Sequence, residues 1–288
     1  MKPVILVTGG NGQLGNELQL LHFSYPAYQW VFVDVDEMNL TSKESIDAAF
    51  EQYKPSVVVS CGAYTAVDKA EEEKELTEKI NATSVGIIAD NCKKLNAELI
   101  HISTDYVFDG QGTSPYKPDQ ETDPLNHYGL TKRDGEVLAM EKNPKTVIIR
   151  TAWVYSSFGK NFVKTIMRLM GERSEISVVN DQIGSPTYAR DLAKVIVKII
   201  TAKDTKYGIY HFTNEGIISW YDFTEEIKSI AGLSCMVHPI PSSQFPTPAK
   251  RPSYSVLDKT SLVEDYGIEL KDWKDSLREC MQVLMPIT

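Results

Sequence analysis

Cysteine is sparse and scattered. Cys61, Cys92, Cys235 and Cys280 stand far apart in 288 residues, and no two form a Cys-x-x-Cys pair. Neither a disulfide frame nor a zinc site is suggested, and the thiols read as reduced, in a cytoplasmic protein. Positive charge is in deficit as well: 30 Lys and Arg face 39 Asp and Glu, a formal net charge of −9. A nucleic-acid surface needs a basic stripe, so that partner class is set aside. An anionic small ligand is not, because a few local arginines suffice. No apolar run approaches the roughly 18 residues of a membrane-spanning helix, and the first one is too short for a signal peptide. No membrane partner is expected. Repeats and low-complexity tracts are absent.

Against those absences stands a glycine-rich turn. Val4–Thr8 is a short apolar, β-branched run that reads as a buried parallel strand. It breaks into Gly9-Gly10-Asn11-Gly12-Gln13-Leu14-Gly15, then into a stretch with Leu14, Leu18 and Leu21 on one helical face. Glycine permits positive φ and close approach of a pyrophosphate, and the amides opening the next helix point at the anion. Alone the turn is ambiguous; strand before and helix after make it a dinucleotide cradle. The second strand ends in Asp34-Val35-Asp36, about 20 residues on, where a carboxylate accepts from ribose hydroxyls. No arginine follows to meet a 2′-phosphate. The expectation is NADH or NADPH, with NADH favoured.

Strand and helix patterns alternate up to about residue 170, implying an α/β, Rossmann-like doubly wound parallel sheet. Thr41-x-x-Glu44 predicts a capping box opening a helix that runs to Tyr53. Residues 57–60, 99–103 and 147–151 read as strands, and 75–95 as a long amphipathic stretch. The C-terminal third differs: short strands at 176–179 and 209–212, three helices, and a Pro-rich loop at 239–252. The predicted division is a cofactor-binding domain at 1–155, with returning segments possible, and a smaller lobe at 156–288. That lobe would close over the C-terminal edge of the sheet.

The chemistry gathers at two places. Ser103-Thr104-Asp105-Tyr106 follows the fourth strand, where a hydroxyl can donate to a substrate oxygen. Tyr128 and Lys132, four apart on a helix, share a face. Hydride reduction of a ketone needs a proton donor at the developing alkoxide and groups that polarise the carbonyl. An ammonium near a phenol lowers its pKa, so the pair is predicted to supply that proton. A Tyr-x-x-x-Lys spacing arises by chance in a chain with 14 tyrosines; the cradle upstream and the Ser-Thr at the strand end are what distinguish this one.

Several segments extend the pattern: Ala-Tyr-Thr-Ala-Val-Asp-Lys-Ala-Glu (63–71), Ile-Asn-Ala-Thr-Ser (80–84), Ser-Thr-Asp-Tyr-Val-Phe-Asp-Gly (103–110) and Pro-Leu-Asn-His-Tyr-Gly-Leu-Thr-Lys (124–132). Arg-Thr-Ala-Trp-Val-Tyr (150–155), Asn-Asp-Gln-Ile-Gly-Ser-Pro-Thr (180–187) and Pro-Thr-Pro-Ala-Lys-Arg-Pro (246–252) complete it. With residues 9–15, these resemble the extended short-chain dehydrogenase/reductases over nearly the whole chain. The resemblance implies reduction of the C4 ketone of dTDP-4-dehydro-6-deoxy-L-mannose to dTDP-L-rhamnose. Thr104, Tyr128 and Lys132 would be the catalytic trio, with Tyr128 and Lys132 also on the cofactor, Lys132 at the nicotinamide ribose, and Thr104 also on the substrate. Gly9, Gly12, Gln13, Leu14, Asp34, Asp36, Asn39, Leu40, Cys61, Gly62, Ala63 and Tyr64 would line the cofactor. Asn39 departs from the Asp common in relatives. Val67, Tyr106 and Trp153 would line the deoxysugar pocket, and Asn161, Gln182 and Arg251 would meet the phosphates and base.

Three alternatives stay open. A dehydratase on this fold carries Glu where Tyr106 stands, which disfavours elimination; a 4-keto-sugar epimerase is another relative. The regulatory β subunit of methionine adenosyltransferase resembles the family without catalysing, and fold alone does not exclude that role. Some relatives pair subunits through carboxylates around a divalent ion. Glu17 could join such a site, but Arg190 beside Asp191 would repel a cation, so no metal requirement is predicted. Monomer and homodimer are both compatible with the sequence.

Overall fold

The computed structural model describes residues 2–285. Its first half runs β1 (Val4–Thr8), α1 (Gln13–Leu21), β2 (Gln29–Val33), α2 (Lys43–Tyr53), β3 (Val57–Ser60), α3 (Val67–Ala70), α4 (Lys74–Glu78), α5 (Ser84–Lys94), β4 (Glu98–Thr104), α6 (His127–Lys142) and β5 (Thr146–Thr151). The second half runs β6 (Val154–Tyr155), α7 (Phe162–Glu172), β7 (Glu175–Val179), β8 (Ile183–Gly184), β9 (Thr187–Tyr188), α8 (Ala189–Ile200) and β10 (Gly208–His211). It closes with β11 (Ile218–Ser219), α9 (Trp220–Ala231), β12 (Met236–Ile240), α10 (Thr260–Tyr266) and α11 (Trp273–Leu284).

Six parallel strands form the central sheet in the order β10-β5-β4-β3-β1-β2. Alternation along each strand feeds two cores, one on each face. Ile5, Val7, Val59 and Ile149 pack on one face with Leu14 and Leu18 of α1 and Leu192, Ile196 and Ile199 of α8. Leu6, Val58 and Leu99 pack on the other with Ile46 and Phe50 of α2, Val85 and Ile88 of α5 and Ala139 of α6. Strand order reverses direction between β1 and β3, the switch point where doubly wound sheets bind ligands.

Two expectations are corrected. The cap of α2 is Ser42, whose hydroxyl accepts from the Ser45 amide at 3.2 Å, not Thr41, which is held by Asn39 Oδ1 at 2.9 Å. The stretch expected as one amphipathic helix is broken by a π-helical turn at Lys79–Thr83 between α4 and α5. The expected division at residue 155 allows for returning segments, and such segments are present. Strand β10 leaves the C-terminal third to pair with β5, Ile209 beside Ile148, and α8 and α10 cover one sheet face. The physical reason is that this face is wider than α1 can cover, and only a later helix can seal it. A smaller lobe does remain. It consists of α7, α9 and α11 around the parallel pair β7 and β12, with Val163, Phe223, Ile227 and Leu277 at its centre.

Among the described residues no helix is long and apolar enough to cross a membrane.

Candidate active site

The cradle is built by contacts that no side chain could share. Gly9 has φ +64°, and a Cβ there would lie 2.8 Å from the Gly62 amide nitrogen. A Cβ on Gly15 would sit 2.3 Å from the Gly9 carbonyl oxygen, so α1 starts pressed against the turn. The Gly12 amide donates to the Gly9 carbonyl at 3.0 Å, and Gln13 and Leu14 open α1. Backbone amides at that end are free for an anion. Asp34 lies across the turn and accepts from the Asn11 amide at 2.9 Å and from Val35 at 2.9 Å, while Asp36 is exposed. Leu40 rests against Gly62, one residue beyond Cys61 at the end of β3. The cradle, Asp34, Leu40 and residues 61–64 therefore converge, an arrangement that would fit a dinucleotide. Asn39 is engaged locally: its Oδ1 accepts from the amide and hydroxyl of Thr41, shaping the approach to α2.

Tyr64 is fixed by a residue outside the expected set. Asn81, in the π turn, accepts from the Tyr64 amide at 2.8 Å and donates to its carbonyl at 3.1 Å. The widened turn aims this buried amide at the loop after β3, the kind of place where π turns recur. The Tyr64 hydroxyl itself points to Glu73 at 2.6 Å.

The catalytic candidates meet at the C-terminal end of β4. Asn126 caps α6, accepting from the Gly129 amide at 2.8 Å. Gly129 lets the helix settle onto the segment after Thr104: a Cβ there would lie 2.1 Å from the Tyr106 carbonyl oxygen. Tyr128 consequently sits with its ring 5.7 Å from that of Tyr106, edge to face, and beside Thr104. The pKa of its phenol is not lowered as expected. Burial pushes it up to about 12, and a hydrogen-bonding contribution from Thr104 draws it partly back. The geometric reason is that the Lys132 ammonium is engaged elsewhere. Its Nζ donates to the Ile102 carbonyl at 2.6 Å and lies 3.3 Å from His101 Nε2. Burial lowers Lys132 to about 8, with Glu136 and Cys61 acting the other way.

Asp105, missed as a site residue, is buried beside the trio. Its Oδ1 accepts from the Thr104 hydroxyl at 3.0 Å, and burial raises its pKa to about 6. The signal available was its place between two residues that the sequence did single out.

The lobe supplies the far wall. Trp153 has φ +50°, a strained value for a bulky residue, and its indole stacks on Trp220 at 3.6 Å between centroids. Gly184 makes room for it, since a Cβ there would be 2.9 Å from the indole. Trp220 carried no sequence signal for this partnership. Arg251 donates to Asp68 at 2.9 Å, one residue after Val67, and acts with Asp68 on Tyr106. Those four residues thus share one corner. Gln182 donates to Ser242 at 2.9 Å. Asn161 is placed differently from expectation. It caps α7, and its amide donates to Gln13 at 2.9 Å and to the Ser156 carbonyl at 2.7 Å. Its polar groups are engaged in capping α7, in its own loop and with Gln13 of the cradle, so a substrate contact would cost one of those bonds.

Glu17, considered above for a metal, is fully buried and uses both oxygens. Ser156 donates to one at 2.6 Å and Arg190 to the other at 2.9 Å.

A family model described as the RmlD substrate binding domain matches residues 1–285. A dTDP-4-dehydrorhamnose reductase of Aggregatibacter actinomycetemcomitans is 39% identical over 284 residues, spanning 95% of this chain and 97% of its own. The crystal structure of such a reductase from Clostridium acetobutylicum is 42% identical, with TM-score 0.93 over 98% of this chain and 99% of that one. Another from Bacillus anthracis, in complex with NADP, is 37% identical, with TM-score 0.94 over 98% and 99%. Sequence and structure agree over the whole length, and the chain belongs to the dTDP-4-dehydrorhamnose reductase family of extended short-chain dehydrogenase/reductases.

Proposed function

We propose that this enzyme reduces dTDP-4-dehydro-6-deoxy-L-mannose at C4, giving dTDP-L-rhamnose at the expense of a reduced nicotinamide. The observation that supports the reading is the gathering of Tyr128, Thr104 and Lys132 at the C-terminal end of β4, on the sheet whose first turn is the glycine cradle. When bound, the nicotinamide supplies the hydride for C4. Tyr128 supplies the proton for the C4 oxygen. A phenol pushed up to about 12 stays protonated at neutral pH, which is the form an acid needs in the reductive direction. The Thr104 hydroxyl lies beside it to share the developing charge, and the Lys132 ammonium would hold the nicotinamide ribose.

Substrate contacts follow the corner described above. Trp153 offers an indole face to the deoxysugar, with Val67 and Tyr106 beside it. Arg251 meets the diphosphate, exchanging part of its pairing with Asp68 for phosphate oxygens. Gln182 reaches the base. Tyr106 packs edge-on against Tyr128 where a dehydratase needs a carboxylate, so elimination is disfavoured.

NADH is favoured over NADPH. Asp34, Asp36 and Glu37 crowd the turn after β2, and no Lys or Arg occurs from Asp34 to Ser42. A 2′-phosphate there meets negative charge. The NADP held by the Bacillus anthracis relative supports the second reading, in which both cofactors serve. Oxidation of each reduced cofactor, followed with the 4-keto sugar nucleotide generated in place, tests the whole. Substrate-dependent oxidation, faster with NADH, is expected. A folded protein that binds dinucleotide yet oxidises neither cofactor belongs instead to the non-catalytic, regulatory class.

A further inference from the structure

Beneath Lys132 lies a histidine that the reaction as described does not use. His101 comes from β4 and is fully buried; its parallel-strand neighbour on β3 is Ser60. His101 Nε2 is 3.3 Å from Lys132 Nζ, and His101 Nδ1 is 3.2 Å from Ser60 Oγ. We propose that His101 is the positioning residue for the Lys132 ammonium, accepting one of its protons at Nε2 while Ser60 anchors the other ring nitrogen.

The chemistry of the groups fixes the direction of each bond. An ammonium has three donors and no acceptor, so Nε2 must be the bare nitrogen and Nδ1 must carry the proton. Nδ1 then donates to Ser60, which selects that tautomer and orients the ring. Burial, and then the neighbouring Lys132 charge, hold the imidazole well below its ordinary pKa. His101 is therefore a constant acceptor rather than a switch. With the Ile102 carbonyl taking a second proton at 2.6 Å, two of the three Nζ donors are assigned, and the third is left for a cofactor hydroxyl. An acceptor beside a buried ammonium stabilises its charged form. The other ionisable groups acting on Lys132 are Glu136, one turn along α6, and Cys61 beyond β3. Neither is hydrogen-bonded to it among the described residues.

This inference rests on Lys132 acting as a cation in the proposed reduction. The test is the pH dependence of kcat/KM for the 4-keto sugar nucleotide at saturating reduced cofactor. The alkaline limb of the parent enzyme reports loss of the Lys132 proton. His101→Leu removes the acceptor, so the limb moves towards acid by about one pH unit, the scale of one hydrogen bond to a charged group. His101→Gln, whose amide oxygen accepts, returns the limb towards its parent position. Ser60→Ala moves it in the acid direction by less. A purely structural role changes thermal unfolding and leaves the limb in place. A folded His101→Leu protein with an unmoved limb overturns the assignment. Should that variant not fold, Ser60→Ala carries the test, and an unmoved limb there overturns it equally. Absence of turnover in the parent enzyme removes the functional reading and this one with it. A limb that stays put in an active enzyme removes this one alone.

Discussion

Asp105 is a carboxyl group in a place that suits its neutral form. Burial raises its pKa from the ordinary 3.8 to about 6, against hydrogen bonds that pull the other way. An acid whose folded pKa is raised binds its proton more tightly in the native state. The penalty is therefore absent below about pH 4, grows through about pH 4 to 6, and is complete above that range. Asp105→Asn keeps an oxygen for the Thr104 hydroxyl and removes the charge. At about pH 7 it should stabilise the protein by roughly 1 to 3 kcal/mol, and the gain should vanish near about pH 4. Thermal unfolding at the two pH values checks this; an Asn variant no more stable than the parent at neutral pH contradicts it. Single-residue chemistry was legible where spacing encodes it, as in Tyr128 and Lys132 on one helical face. It was not legible where partners come from other elements. Lys132 turns to His101 and Ile102 on β4 rather than to Tyr128, so the expected fall in the phenol pKa is replaced by a rise.

At the scale of elements, α6 is what brings chemistry to the sheet, and glycines set its depth. Gly129 meets the Tyr106 carbonyl and Gly135 meets the Asn81 carbonyl, each closer than a Cβ allows. Gly129→Ala should push the start of α6 away from β4, destabilising by about 1 to 3 kcal/mol. Because Tyr128 is the adjacent residue, turnover should fall at least tenfold while dinucleotide binding at the cradle, which Gly129 does not touch, persists. Unchanged kcat in that variant contradicts the packing account. Strands β1, β3, β4 and β5 were readable as apolar runs because both faces of a parallel sheet are covered. The π turn at Lys79–Thr83 was not, since the extra residue leaves helical periodicity almost untouched. Its service to Tyr64 appears only in three dimensions.

For the whole molecule, the seam between cradle and lobe is a buried polar junction. Glu17 of α1 joins Ser156 and Arg190, and Gln13 joins Asn161. The sequence placed Arg190 against a cation but gave no partner for it; the partner is the very carboxylate that a metal would need. Chelation should accordingly leave activity intact. Activity abolished by chelator and restored by magnesium contradicts this. Arg190→Ala strands a buried carboxylate and should cost about 2 kcal/mol, below the range of roughly 3 to 5 for a fully buried pair because the guanidinium is partly exposed. The return of later segments to the sheet has a physical reason of the same scale. A sheet face must be sealed by whichever helix is available, and here α8 and α10 come from beyond the lobe's first helix.

The central claim is that the Tyr128 hydroxyl donates the proton that completes reduction at C4. Turnover of the 4-keto sugar nucleotide by Tyr128→Phe, measured beside cofactor binding by the same protein, tests it most directly. The account predicts a fall in kcat of roughly a hundredfold or more, in the range removed with a general acid, with dinucleotide affinity nearly unchanged. A phenylalanine variant that reduces the substrate at close to the parent rate contradicts it.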